Sequence, residues 1–336
     1  MMSDINLRIQ GKAGRITLQR PEALNAMTYE MCLAIEKTLI DWKNDPKVEL
    51  IIIDAQGERA FCSGGDISDL YEEGSKKNYN YGKKFWDDEY RLNALIAKYP
   101  KPYIAFMQGF TMGGGVGISC HGSHRIVCET SKIAMPECSI GLIPDVGGSL
   151  LLSRAPNNLG YFLGLTGTQM NAADAIYTGF ADSYIPKSEW PGVINKLEQS
   201  GNNSILREHS QNSGKSQLAE NREFFEAIFT SKDLPKIVQF LSKSEDQRAL
   251  EALNKITKNC PIAMTYTIEM LSRLTPKSKI EDALDLEYRF TSRAQEHGSF
   301  QEGIRAAIID KDRKPKWRFE IDEVPKEIIN NFLKPL

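Results

Sequence analysis

The sequence predicts an α/β protein whose sheet is largely parallel, continued by an α-helical C-terminal part. Three observations carry this. Short β-branched or alternating apolar runs recur up to about residue 190, separated by stretches with helical apolar spacing. A polar segment rich in Asn, Ser and Gly follows over Glu198–Gln217. Beyond it the patterns are helical.

Taken in order, Arg15–Pro21 (RITLQRP) alternates and breaks at proline, a strand signature. LNAMTYEMCLAIEKTLIDWKND has helical spacing, with Thr28 as candidate N-cap. Val48–Gly57 (VELIIIDAQG) is a continuous β-branched run ending at glycine, as in a strand buried on both faces. Pro102–Gly109 (PYIAFMQG) is another, and HRIVCET and KIAMPE are two shorter ones. NYNYGKKFWDDEYRLNALIAKYP is helical in pattern. Late in the chain, Pro261 opens PIAMTYTIEMLSRL at a first helical position. IEDALDLEYRFTSRAQEHG closes on His297 and Gly298, a C-terminal signal. The expected organisation is an α/β core over residues 1–197, then a polar linker and α-helical region over 198–336.

Composition bounds the function. The 336 residues, 41% hydrophobic and 26% charged, suit a soluble globular protein of one large domain with an appendage, or of two. A net charge of −2 gives no bulk attraction to nucleic acid or to an anionic membrane. The six cysteines form no C-x-x-C pair, which predicts reduced, buried thiols. The four histidines, His121 and His124 among them, lack acidic or thiol partners at metal-site spacing, so no metal is expected. MMSDINLRIQ resembles neither a signal nor a transit peptide, and no apolar run approaches the roughly 18 residues of a membrane span. The cytoplasm is the expected location.

Three glycine-bearing stretches stand out. AFCSGGDI (Ala60–Ile67) has two glycines that let backbone approach a ligand, and Asp66 can cap the helix that follows. MGGGVGISCHG (Met112–Gly122) opens a segment of small residues patterned as a tightly packed helix, whose first N–H groups suit an anion or oxyanion. It fits neither the dinucleotide fingerprint nor a phosphate loop. MPECSIGLIPDVGG (Met135–Gly148) places Glu137 and Asp145 in an otherwise apolar strip. Burying a carboxylate is costly unless it is paired, hydrogen-bonded or shifted in pKa. Singly, Glu137 could be a solvated loop acid and Asp145 a helix cap. Together with two amide-rich turns they form a candidate active site.

These motifs, in this order, resemble the crotonase (enoyl-CoA hydratase/isomerase) superfamily, and within it the 3-hydroxyisobutyryl-CoA hydrolase branch. AFCSGGDI, FWDDEYRLN, KPYIAFMQGFTMGGGVGISCHG, MPECSIGLIPDVGG, LGYFLGLTG and EGIRAAIIDKDRKPKW carry the likeness over about residues 15–318. The resemblance implies ββα units spiralling around a crossed-sheet core, with C-terminal helices that help cover the acyl site. It implies oxyanion amides at Gly65 and Gly114 and a catalytic acid at Glu137. The hydratases' other glutamate falls at Gly117, which has no side chain. Asp145 matches the hydrolase's second acid, although some isomerases also place an aspartate there. Glu89 matches a further acid at the acyl site, where the bland alternative is a solvated helix charge. Backbone near Ala60 and Ile67 is implied for the adenine end of coenzyme A, and Arg20, Lys83 and Lys84 are candidates for its phosphates.

The resulting expectation is an acyl-CoA thioester hydrolase without metal or redox cofactor, coenzyme A entering as part of the substrate. Valine breakdown follows from the resemblance alone. A homo-oligomer is left open. The alternatives are a hydratase or double-bond isomerase of the same superfamily, and a binding protein of this fold without chemistry.

Overall fold

The structure is a computed structural model that describes residues 4–336. Nine described strands run in chain order as β1 (Ile5–Gln10), β2 (Ala13–Leu18), β3 (Leu50–Ala55), β4 (Ala60–Cys62), β5 (Tyr103–Met107), β6 (Phe110–Met112), β7 (His124–Val127), β8 (Lys132–Ala134) and β9 (Ser183–Tyr184). The helices that matter for the site are α1 (Tyr29–Lys43), α2 (Ser68–Ser75), α3 (Tyr79–Ala97), α4 (Gly114–Gly117) and α5 (Gly148–Arg154). Packing divides the chain into two compact units. The first comprises Met1–Asp66, Asp88–Ala134 and Gln169–Glu220, and the second Ile67–Asp87, Met135–Thr168 and Asn221–Leu336. Packing thus groups the chain otherwise than by a single cut after residue 197.

The first unit holds both sheets. A six-stranded sheet has the order β1-β2-β3-β5-β7-β9, antiparallel between β1 and β2 and parallel elsewhere. A three-stranded parallel sheet has the order β4-β6-β8. The strands come in consecutive pairs. β3, β5 and β7 go to the large sheet, their successors β4, β6 and β8 go to the small one, and a helical segment follows each pair. This is the repeated ββα unit that the resemblance implies. Ile51, Ile52 and Ile53 in β3 are fully buried, as the continuous apolar run predicts for a strand covered on both faces. Phe106 of β5 meets Trp190 edge-on with centroids 5.1 Å apart.

Thr28 caps α1 as expected, its hydroxyl accepting the Met31 N–H at 3.2 Å. Strand β1 is a finding beyond the expectations. Its alternation (INLRIQ) and the turn at Gly11, φ 57°, were legible. The polar stretch Glu198–Gln217 is more ordered than its composition predicts. The helix Trp190–Ser200 runs into it and ends at Gly201, φ 68°, and Ile205–His209 adds a helical turn. Leu206 anchors that turn in the hydrophobic core, and an ion pair anchors the start of the stretch. Glu198 is buried and ion-paired with Arg15, which also pairs with Asp54 of β3.

The second unit is helical. Aromatic pairs hold it: Phe162 stacks on Phe225 at 4.2 Å and Phe290 on Phe332 at 4.5 Å. Pro261 stands at the first position of the helix Pro261–Arg273, and the helix Ile280–His297 ends at Gly298, both as the sequence indicates. Side-chain amides reach α2 from late in the chain, Gln295 donating to the Leu70 carbonyl at 2.6 Å and Gln301 to that of Tyr71 at 3.2 Å. All six cysteines are free and buried.

The Arg15 network gives a stability test. Arg15→Ala leaves the buried carboxylate of Glu198 without its counter-charge, a situation that costs about 3–5 kcal/mol. The urea midpoint is expected to fall accordingly, and a midpoint equal to the parent's would show that the pair contributes nothing.

Candidate active site

The first unit brings three of the sequence-predicted residues together. A parallel bridge joins Met27 to Gly65, and in it Met27 donates to the Gly64 carbonyl at 2.9 Å and Asp66 to that of Met27 at 2.8 Å. The intervening Gly65 N–H, and the Gly114 N–H at the start of α4, donate to no backbone carbonyl among the described residues. A Cβ at Gly114 would lie 3.2 Å from the Gly65 nitrogen and 3.0 Å from Oε1 of Glu89. Two amides and a carboxylate therefore converge where a side chain at 114 would stand. Amides placed this way can stabilise a developing oxyanion.

Glu89 lies on α3 and is 3% exposed, so it is no solvated helix charge. Its neighbour Asp88 is buried too. Asp88 accepts the Tyr29 hydroxyl and the Arg91 guanidinium, the latter at 2.7 Å. Asp66 does not cap α2. Ile67 takes the N-cap position without a side-chain bond, and the Asp66 carboxylate pairs with Arg20 at 3.1 Å. Arg20 also donates to the Ala26 carbonyl at 2.6 Å. Ala60 is buried in β4 with its carbonyl accepting the Asn25 amide at 2.9 Å. Gly117 lies buried in α4, its N–H donating to Gly113 at 3.2 Å.

The second unit holds the acidic strip. Glu137 opens a short 3-10 helix, Glu137–Ile140, directly after Pro136, and is 5% exposed. That helix is tied to the helix Pro261–Arg273 through Cys260, whose N–H donates to the Cys138 carbonyl at 2.8 Å. Burial, with the nearby Glu137 charge adding to it, pushes the Cys138 thiol far above its usual pKa. Burial pushes Cys62 up to about 12. Neither is a thiolate nucleophile at neutral pH. Asp145 is 4% exposed and does not cap α5, whose N-cap is Gly147.

Glu287, on the helix Ile280–His297, was missed from the sequence. It is fully buried and accepts the Gly147 N–H at 2.8 Å, the Ser149 N–H at 3.1 Å and the Ser149 hydroxyl at 2.5 Å. The signal was present: Ala283, Leu284, Phe290 and Ala294 form a buried stripe, and Glu287 stands in it at helical spacing. The second unit also has a groove of about 720 Å³ whose lining includes Lys255, Lys258, Arg313, Lys314 and Trp317. Of the other cations considered, Lys84 is exposed and Lys83 offers its carbonyl to the Tyr288 hydroxyl at 3.2 Å. Among the described residues no group of three or more His, Cys, Asp or Glu side chains is arranged to hold a metal ion, and no helix is long and apolar enough to cross a membrane.

With this geometry, the comparisons with known proteins are decisive at family level. The family model for enoyl-CoA hydratase/isomerase matches residues 13–333. The chain belongs to this family, the crotonase family of acyl-CoA enzymes. It is 36% identical to a Homo sapiens protein named 3-hydroxyisobutyryl-CoA hydrolase, mitochondrial, covering 99% of this chain and 89% of that protein. The Gallus gallus protein of the same name is 35% identical over the same shares. Among solved structures, one named as an enoyl-CoA hydratase from Rhodobacter sphaeroides 2.4.1 has a TM-score of 0.96 and 48% identity, covering 99% of this chain and 98% of that one. Another, named as a carnitinyl-CoA dehydratase from Mycobacterium thermoresistibile, has a TM-score of 0.95 and 38% identity, covering 99% and 97%.

The site carries a pH signature. Burial, with the Asp145 charge adding to it, pushes the Glu287 carboxyl from 4.5 up to about 8. The folded chain keeps a proton there that the unfolded chain releases above about pH 4.5. That stability is whole below about 4.5 and is lost as the pH rises through about 8. The melting temperature is expected to decline from about pH 5 to about pH 8.5, and Glu287→Gln to remove that component. An unchanged slope in the variant would assign the decline to other groups.

Proposed function

We propose that this chain hydrolyses a short-chain 3-hydroxyacyl-CoA thioester, 3-hydroxyisobutyryl-CoA first among them, to the free acid and coenzyme A. The observation that carries the reading is the distribution of acids. Hydration of a double bond in the resembling hydratases uses two glutamates on one water, and one of those positions is Gly117 here. The acids this chain has instead are Glu137 and Asp145, both buried in the second unit. The names of the curated relatives agree with hydrolysis.

On this reading the Gly65 and Gly114 N–H groups bind the thioester oxygen. Glu137 takes a proton from water as hydroxide adds to the carbonyl carbon, or itself attacks to give an anhydride that water opens. Collapse of the intermediate breaks the C–S bond, and coenzyme A leaves as thiolate, which then takes up the proton. Asp145 orients the water or binds the acyl hydroxyl, and Glu89 contacts the acyl group. The reaction as proposed calls for no metal or redox cofactor. The groove with Lys255, Lys258, Arg313 and Lys314 is the local supply of cations we assign to the coenzyme A phosphates. A cytoplasmic location and a place in valine breakdown belong to the proposal, while the relatives named above carry "mitochondrial" in their names.

The second reading, enoyl-CoA hydration, is favoured by the name of the 48% identical structure. A thiol reagent separates the two. Incubation with 3-hydroxyisobutyryl-CoA or 3-hydroxypropionyl-CoA is expected to liberate free thiol, whereas hydration of an enoyl-CoA liberates none. Glu137→Gln is expected to lower turnover about 10²–10⁴-fold with coenzyme A binding nearly intact. A variant as active as the parent would sink the role of Glu137.

Gly114→Ala tests the amide pair. Its methyl would stand 3.2 Å from the Gly65 nitrogen, where the thioester oxygen is proposed to bind. Turnover is expected to fall at least about 10²-fold with little change in melting temperature. Retained turnover would place the oxyanion elsewhere.

A further inference from the structure

The turn that carries Asp145 is strained. The Asp145 carbonyl accepts the Gly148 N–H at 2.7 Å, and the two residues between them, Val146 and Gly147, have φ of 54° and 77°. Both central residues are left-handed, the pattern of a type I′ turn. Glycine takes that conformation freely. On β-branched valine it costs on the order of 1–3 kcal/mol and persists only where the surroundings enforce it.

Glu287 is bound to this turn at two points. One of its oxygens accepts the Gly147 N–H, inside the turn, and the other accepts the Ser149 N–H and hydroxyl, just beyond it. Each oxygen is thus committed to its own backbone amide. A carboxylate with no exposure, fixed by neutral donors and close enough to Asp145 to feel its charge, is an expensive way to fill space in an apolar stripe. Leucine or methionine would fill that space at less cost. What they lack is a fork of two acceptors that spans a turn.

We infer that Glu287 is a positioning residue: it clamps the Asp145–Gly148 turn in its left-handed form and so aims the Asp145 carboxylate. The inference rests on the reading of Asp145 as the second acid of thioester hydrolysis. Glutamine offers one acceptor oxygen and turns its NH₂ toward the other amide. Aspartate keeps both acceptor oxygens but is one methylene short. Ser149→Ala keeps both amide contacts.

The test is a double-mutant cycle with a separate physical readout. Glu287→Gln is expected to lower kcat on 3-hydroxyisobutyryl-CoA about 10²-fold with KM nearly unchanged, the cost of a misplaced acid. Ser149→Ala is expected to stay within a few-fold of the parent. On an Asp145→Asn background, Glu287→Gln is expected to cost less than about two-fold, because both changes remove the same function. A full further loss on that background overturns the inference, since damage that does not act through Asp145 multiplies. An unchanged kcat in Glu287→Gln overturns it as well. Hydrogen exchange of the peptide over residues 142–152 reports on the clamp without turnover. Faster exchange in Glu287→Gln is expected, and equal exchange overturns the clamp. Where Glu287→Gln does not fold, Glu287→Asp carries the same expectations. If Asp145→Asn alone leaves kcat unchanged, the reading of Asp145 fails and takes the aiming role with it, while exchange still decides on the clamp.

Discussion

The close approach of β4 to β6 is the constraint on which the amide half of the site depends. Their ladder pairs Ala60 with Phe110 and Cys62 with Thr111, with a shift of register between. The chains come so near that a Cβ at Gly109 would lie 2.1 Å from the Arg59 carbonyl oxygen, and one at Gly115 2.4 Å from that of Cys62. Neither position has room for a side chain. Strands of three residues do not hold such a contact alone. They are held because each continues from a strand of the large sheet, in which Leu50, Ile51, Ile52 and Ile53 of β3 and Ile104, Ala105 and Phe106 of β5 are buried in the core. The ββα repeat thus turns the burial of isoleucines into the placement of two N–H groups.

The acids are the second constraint, and the two units meet it differently. In the first, Arg91 bridges Asp88 at 2.7 Å and Glu36 at 2.5 Å, and Tyr29 completes Asp88. The buried negative charge beside Glu89 is thereby answered by a cation. In the second, Glu287 is answered by three neutral donors and by a raised pKa. Charge compensation and proton retention are the two ordinary ways to keep a carboxyl group in an apolar interior. Neither improves on an apolar side chain for stability alone.

Most of the fold was legible because its signals are local. The β-branched runs became β3, β5 and β7, and Thr28, Pro261 and Gly298 stood at their helix ends. The glycine motifs were legible because close approach leaves few alternatives to glycine. What escaped depended on distant partners. Glu198 looked like part of a polar linker until Arg15, 183 positions away, was seen beside it. Asp66 looked like a cap, but Arg20 takes its carboxylate. Glu287 stood in plain view as an acid on an apolar stripe, yet its acceptors find their donors at Gly147 and Ser149, 140 and 138 positions earlier. Spacing within one helix can mark such a residue as odd, but not say what it holds.

On the proposed reading, the surplus of acids over proton transfers has a chemical sense. A thiolate of pKa near 8.5 leaves without prior protonation, so the barrier lies in attack and in forming the oxyanion. One glutamate and two amides address those steps. Asp145 and Glu89 are then released from shuttling protons. A buried carboxylate is costly without donors, and the 3-hydroxyl of the acyl group is a donor that a plain alkyl chain does not bring. A site built to receive a substrate hydroxyl rejects the analogue lacking it by about 10⁴–10⁵-fold, far more than an apolar pocket achieves with one methylene. On that reading the extra acids act on the choice of acyl group as well as on the placing of the attacking water. This fits a hydrolase that must leave ordinary acyl-CoA thioesters intact.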